Sequence, residues 1–303
     1  MVTYDASGMR YVGALITAAV VVAGCHRWPV GREPPRSDGQ PFPVNEFLVR
    51  ETALVNGTVN VQMNIPLTPA GPKPTLIALV GDMSPLQAGF IVVTYTVRWD
   101  LIQGNTPAAP AEATVGKWVL ASPSAAVLGE RYLRQIATTA TQYVPAIIDW
   151  LETMPEVDAA RIGMVGGSTN GFVTLQAVAA DRRIWAAVAI AACGDYLGFL
   201  QNSSMGMEGK PLALDPVYAQ WVRSQQIIEH PDRLVHAALL MTNRIGDELI
   251  PIGCADETAR VLTEAFARAG RPDHFRFVRI EGAGHGIGTE ERQEVQAWFD
   301  KWR

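Results

Sequence analysis

Two neighbouring hydroxyls, Ser168 and Thr169, sit among glycines in the stretch "RIGMVGGSTNGF", Arg161 to Phe172. Such a stretch could cradle a phosphate, form a plain strand-to-helix turn, or seat a nucleophile. A dinucleotide loop needs Gly-x-Gly-x-x-Gly, and Gly163, Gly166, Gly167 and Gly171 do not supply that spacing. A P-loop needs a lysine before its hydroxyl, and none is present here. A nucleophile elbow remains, normally Gly-x-Ser-x-Gly. Strict spacing centres that pattern on Thr169, but the elbow residue takes a positive φ that β-branched side chains resist. Ser168 is therefore the expected nucleophile. Gly166 lies two residues before it, and Asn170, which tolerates unusual backbone angles, lies two after.

A hydroxyl is a poor nucleophile until a base accepts its proton. Two later segments carry what Ser168 needs. "RIGDELIP" follows the apolar run "AALLMTN" and holds Asp247; "EGAGHGIG" follows "HFRFVRI" and holds His285 between glycines. Histidine suits the base because it titrates near neutrality. A carboxylate fixes its tautomer and stabilises the imidazolium that forms. Taken singly, a loop Asp reads as a cap and a loop His as a solvated side chain. Ser, Asp and His each falling just past an expected strand make a catalytic triad the better reading.

The elements that would position these residues are legible as alternating patterns. "FLVRETALV" and "GTVNVQMNIPL" read as an antiparallel pair around Asn56-Gly57, a strong hairpin dipeptide. "TLIALVG", "FIVVTYTV", "RIGMVGG", "WAAVAIAAC", "AALLMTN" and "HFRFVRI" are short apolar runs of the kind buried on both faces of a sheet. Between them lie helical patterns over 129–154, with Pro145 as a kink or break, and over "GFVTLQAVAADRR". Two more cover "CADETARVLTEAFARAG" and the closing "TEERQEVQAWFDKWR", the last capped by Thr289. Strands alternating with helices imply an α/β fold: a mostly parallel central sheet with helices on both faces, and antiparallel N-terminal strands at one edge. Chemistry in such sheets belongs at the carboxyl ends of the strands.

"AIIDWL", "RIGMVGGSTNG", "GDELIP" and "GAGHG" together resemble the α/β-hydrolase superfamily over residues 45–303, and within it the dienelactone-hydrolase and prolyl-oligopeptidase-like serine esterases. The resemblance implies Ser168 as nucleophile, Asp247 as triad acid and His285 as base, with no cofactor and no metal. Asp195 is the fallback acid, since some relatives place the acid after the preceding strand. It also implies an oxyanion hole of backbone N–H groups, one from Thr169 and one from Asp82, or from Met83 with a one-residue shift. Two points depart from the family pattern: Asn170 stands where glycine is common, and "LVGDM" replaces the usual His-Gly oxyanion segment, so the Asp82 carboxylate must point away or be paired. Prolyl-oligopeptidase-type peptidases often carry a propeller ahead of the hydrolase domain. The residues preceding 45 are too few to form one, which favours an esterase over a peptidase. A catalytically silent binding module on the same fold is the reading from another class.

Two insertions shape the expected substrate. One, about 194–236, forms a small cap with Tyr196 and Phe199; the other, about 98–128, carries Trp99 and Trp118. Tyr196, Phe199 and Trp99 are expected to line an apolar pocket for a small-molecule ester. His230, His236 and His274 have no partners suggesting a role and read as structural or surface residues.

Composition bounds the rest. With 48% hydrophobic and 18% charged residues in 303, the chain can bury a large core, and a net charge of −5 offers no basic footprint for nucleic acid. Residues 1–25 read as a signal peptide: "YVGALITAAVVVAGC" falls short of the roughly 20 residues that span a bilayer. Its end, Val22-Ala23-Gly24-Cys25, resembles a bacterial lipobox, implying lipidation of Cys25, export to the periplasm or cell envelope, and membrane attachment. Residues 26–44 are rich in Pro and Gly and read as a tether. Cys193 and Cys254 are then the remaining cysteines. Export would permit them to pair, but two buried free thiols are the preferred expectation.

Overall fold

The computed structural model describes residues 47–67, 70–79, 89–97, 132–204, 214 and 216–302. The expected signal, tether and Cys25 lie outside the described residues, as do Asp82, Met83, Trp99 and all of the 98–128 insertion. Among the described residues, no helix is long and apolar enough to cross a membrane.

The first two strands form as their turn dictates. β1 (Phe47–Leu54) and β2 (Val59–Pro66) pair antiparallel, with Leu54 opposite Val59. Asn56 and Gly57 take φ of 55° and 82°, the left-handed values that a tight hairpin requires. β2 alternates as a half-covered strand should: Val59, Val61, Met63 and Ile65 are buried, while Asn60 and Gln62 face out. β3 (Lys73–Leu79), β4 (Ile91–Val97), β5 (Val157–Gly167), β6 (Ile184–Ile190), β7 (Ala238–Gly246) and β8 (Phe275–Ala283) complete one sheet in the order β1-β2-β4-β3-β5-β6-β7-β8. β2 meets β4 antiparallel; every pairing from β4 through β8 is parallel. In β6 every residue but Trp185 is buried, which needs cover on both faces and explains why its sequence shows no alternation.

Helices supply that cover. Residues 132–138 are helical and continue through a π-helical stretch, Thr139–Tyr143, into α1 (Val144–Glu152). Pro145 lies inside this continuous helix, and its missing N–H falls just after the π-helical turn, which takes up the interrupted ladder. The expected kink at Pro145 is thus a wide helical turn just before it. α2 (Thr169–Ala180) packs on β5 and β6, α5 (Ile252–Arg268) on β7 and β8, and α6 (Thr289–Trp302) on β6 and β7.

Among its described residues, the 194–236 insertion forms α3 (Tyr196–Asn202), α4 (Pro216–Gln225) and two short 3-10 turns. Its root is fixed to the main domain in three ways. Cys193 and Cys254 are joined by a disulfide, with Cα atoms 5.7 Å apart, so the expected pair of free thiols is corrected. Both side chains are buried, and strand order puts the end of β6 beside the start of α5, a proximity no spacing rule could give. Thr258 Oγ1 accepts from Gly194 N at 2.7 Å and Asp195 N at 3.2 Å. Ser203 Oγ donates to the Leu249 carbonyl at 2.7 Å, and Ser204 N to that of Glu248 at 2.9 Å.

Candidate active site

Ser168 lies between β5 and α2 with φ 56° and ψ −124°, outside every region a serine prefers. Holding such a conformation costs about 1–3 kcal/mol, and its surroundings over-determine it. Ser168 N donates to the Ile190 carbonyl of β6 at 2.8 Å, while its own carbonyl accepts from Gly171 N at 2.8 Å. The glycines make the turn sterically feasible. A Cβ on Gly166 would run into the Asn170 backbone, and one on Gly171 would lie 2.7 Å from both Ala192 Cβ and the Ile190 oxygen. Gly171, one position later than the family pattern, therefore provides the close approach of helix to sheet, and Asn170 is accommodated as an ordinary helical residue. Thr169 is the first residue of α2 and has no positive φ, in keeping with its β-branch.

Asp247 follows β7. Its side chain is 1% exposed, and Oδ1 accepts from Leu249 N at 2.9 Å and Ile250 N at 3.1 Å. Its other oxygen, Oδ2, is 2.8 Å from His285 Nδ1. A carboxylate can only accept, so Nδ1 carries the proton and Nε2 is left to accept from a donor. That donor is in place: Ser168 Oγ lies 2.8 Å from His285 Nε2. The imidazole is held from a loop whose glycines take positive φ, Gly282 at 111° and Gly284 at 86°. Gly284 N donates to the Gly246 carbonyl at 3.1 Å, stitching the histidine loop to the aspartate loop. The three side chains form one hydrogen-bonded line from a covered carboxylate to a partly exposed imidazole.

The other expected residues fall as follows. Asp195 caps α3, its Oδ1 accepting from Gly198 N at 2.8 Å, and His285 bonds Asp247 instead. Burial pushes the Asp195 carboxyl up, against the pull of that N–H. Tyr196 and Phe199 are corrected from pocket to core: they are 0% and 1% exposed and pack on Phe172 of α2, with ring centroids 5.8 and 5.1 Å away. Both rings thus pack against α2, the helix that begins at the elbow. His274 packs against Trp302 with its ring tilted by 49°, and His236 Nδ1 bonds the Arg233 carbonyl.

Thr169 N, at the first position of α2, has no intrahelical acceptor by position.

Sequence reasoning passed over three residues here. Tyr132 places its hydroxyl 3.0 Å from Thr169 Oγ1, beside the elbow. Burial pushes this phenol up to about 12, with the Thr169 bond working the other way, so it is neutral at physiological pH. Arg244 of β7 forks onto Glu291 of α6, with Nε 2.6 Å from Oε1 and Nη2 3.2 Å from Oε2. An arginine near a strand end and a glutamate in a first helical turn each have an ordinary local reading, and 47 residues separate them.

Comparison with known proteins agrees with this geometry. The Bacillus subtilis protein YtaP, named as a hydrolase, is 24% identical over 155 residues, covering 51% of this chain and 50% of its own. Among solved structures, a Mycobacterium tuberculosis puromycin-hydrolyzing peptidase superposes with a TM-score of 0.61 at 19% identity, over 86% of this chain and 40% of that one. A glucuronoyl esterase from Solibacter usitatus gives 0.54 at 14% identity, over 98% and 93%. The chain thus spans about half the length of YtaP and less of the peptidase. The prolyl oligopeptidase family matches residues 130–303, a segment that contains Ser168, Asp247 and His285. Matched over more than half of its length, the chain belongs to the prolyl oligopeptidase family.

Proposed function

We propose that the protein cleaves carboxylic esters through an acyl-enzyme on Ser168. The observation that carries this is the unbroken line Ser168 Oγ, His285 Nε2, His285 Nδ1, Asp247 Oδ2, with 2.8 Å at each hydrogen bond. Ser168 Oγ attacks the carbonyl carbon as Nε2 takes its proton, and Asp247 stabilises the imidazolium. The oxyanion that forms is met by the Thr169 N–H and by Asp82 or Met83 N–H from the segment after β3. Collapse breaks the bond to the leaving oxygen, which receives the proton from His285. Water deprotonated by His285 then attacks the acyl-enzyme and the acid leaves. The aromatic residues of the 98–128 insertion, Trp99 and Trp118, support a modest apolar ester.

The same machinery cleaves amides, and the peptidase reading has its own support in the family match and the puromycin-hydrolyzing neighbour. Two measurements separate the readings. A fluorophosphonate probe should label the protein and lose its target in Ser168→Ala; an unlabelled wild type would overturn both. A chain-length series of p-nitrophenyl esters against aminoacyl anilides should favour the esters, and faster anilide turnover would replace the esterase with the peptidase.

The reading extends to an exported enzyme anchored through a lipid on Cys25. A disulfide, which persists in oxidising compartments, supports export. Metabolic incorporation of an alkyne fatty acid should be lost in Cys25→Ala; equal labelling would refute the anchor.

A further inference from the structure

The loop that carries His285 is poorly suited to hold anything still. Between Ala283, the end of β8, and Thr289, the start of α6, three of five residues are glycine, and these resist fixation most on entropic grounds. Yet the imidazole must stay within a few tenths of an ångström of two partners on different elements. On the near side, Gly284 N reaches the Gly246 carbonyl. On the far side, Gly288 N donates to Glu291 Oε2 at 2.7 Å.

Glu291 serves two masters. Its side chain is 2% exposed and its Oε1 takes Arg244 Nε, while Oε2 takes both Arg244 Nη2 and Gly288 N. Arg244 belongs to β7, three residues before Asp247, and its carbonyl lies 3.4 Å from Asp247 N. One buried carboxylate therefore ties the strand that presents the acid to the loop that presents the base. The fit is close: a Cβ added to Gly288 would lie 2.5 Å from Arg244 Nη2 and 3.0 Å from Glu291 Oε2. Resting on the serine-hydrolase reading above, we infer that Glu291 and Arg244 are positioning residues that hold His285 on the line between Ser168 and Asp247.

Charge explains why a carboxylate is needed. Glu291→Gln keeps the shape but turns one acceptor oxygen into a donor NH2, which must face Arg244 Nε in one orientation of the amide and Gly288 N in the other, donor against donor. It also leaves a guanidinium, 25% exposed, without its counter-charge. The far tether then loosens, and small misplacements of a base are expensive in rate. About tenfold or more in kcat should be lost, with KM within about twofold of wild type.

The test measures kcat, KM, thermal midpoint and the low-field proton resonance of His285 Nδ1–H in wild type, Glu291→Gln and Asp181→Asn. The last removes a carboxylate that is also buried, paired with Arg183 and remote from the loop. Expected results are a drop in kcat and a broadened or missing low-field signal in Glu291→Gln. Asp181→Asn should lose thermal stability with kcat and signal intact. An unchanged kcat and a sharp signal in Glu291→Gln would overturn the inference, as would an equal loss of kcat in Asp181→Asn. If Glu291→Gln does not fold, Arg244→Lys, which keeps charge without the fork, should show the same loss; wild-type kcat there refutes the pair. A wild type without turnover would sink the hydrolase reading alone, since the low-field signal still reports whether the pair holds the imidazole.

Discussion

The two ends of the candidate site are held by different means. At β5 the nucleophile is set by backbone: a residue at φ 56°, glycines at 166 and 171, and main-chain bonds to Ile190 and Gly171. At β7 and β8 the acid and base are set by polar side chains: Asp247 gripping two N–H groups, and Arg244 with Glu291 gripping Gly288. The difference follows from what each residue must do. A nucleophile needs one fixed exposed position, which a strained turn supplies at modest cost. An acid and a base must keep a tautomer and a charge, which only hydrogen-bonding partners can select.

Replacement of one atom should break the polar end most severely. In Asp247→Asn the amide oxygen must face the Leu249 and Ile250 N–H groups, so its NH2 meets His285 Nδ1. That stabilises the tautomer with its proton on Nε2, which cannot accept from Ser168. A fall in kcat of about 10⁴-fold with unchanged folding is expected, read by steady-state kinetics on the best ester found.

Reducing the disulfide should weaken the root of the insertion more than the site itself. The link closes a separation of 61 residues, and its loss in Cys193→Ser with Cys254→Ser should cost about 2–4 kcal/mol, measured by urea unfolding. Gly171→Ala tests the backbone end. Overlap with Ala192 Cβ and the Ile190 carbonyl should cost about 1–3 kcal/mol, and because it shifts the elbow, kcat should fall with it.

The smallest effect is on acid stability. Burial pushes the Glu291 carboxyl up, but the Arg244 guanidinium and the N–H groups of Glu291 and Gly288 outweigh it and hold it below the usual glutamate range. A carboxyl lowered in the folded state contributes stability that is complete above its unfolded value. That contribution is lost as pH falls toward the lower folded value. Thermal midpoints should therefore be flat from pH 7 to about 5 and decline below about 4.3, less steeply in Glu291→Gln than in wild type. Equal slopes would show that other carboxylates, such as Asp181 beside Arg183, carry the decline.

Much of this was legible in residue order. The choice of Ser168 over Thr169 needed only the steric rule against a β-branch at positive φ, and the elbow places that φ on Ser168. The hairpin at Asn56-Gly57 and the parallel run of buried strands were readable for the same reason: turn chemistry and hydrophobic period are local. Tyr196 and Phe199 were misread because composition says that an aromatic is present but not which way its helix turns. Cys193 and Cys254 were misread because strand order had not yet made the end of β6 and the start of α5 neighbours.

The sequence by itself determined which residue types could do acyl-transfer chemistry and that each follows a strand, since strand, turn and helix preferences act over a few residues. Only the tertiary structure decided that Ser168, His285 and Asp247 meet at hydrogen-bond distance, and that Glu291 reaches Arg244 and Gly288 at once. Pairings across tens to more than a hundred residues depend on how the sheet orders its strands, and that order is settled by packing of the whole core.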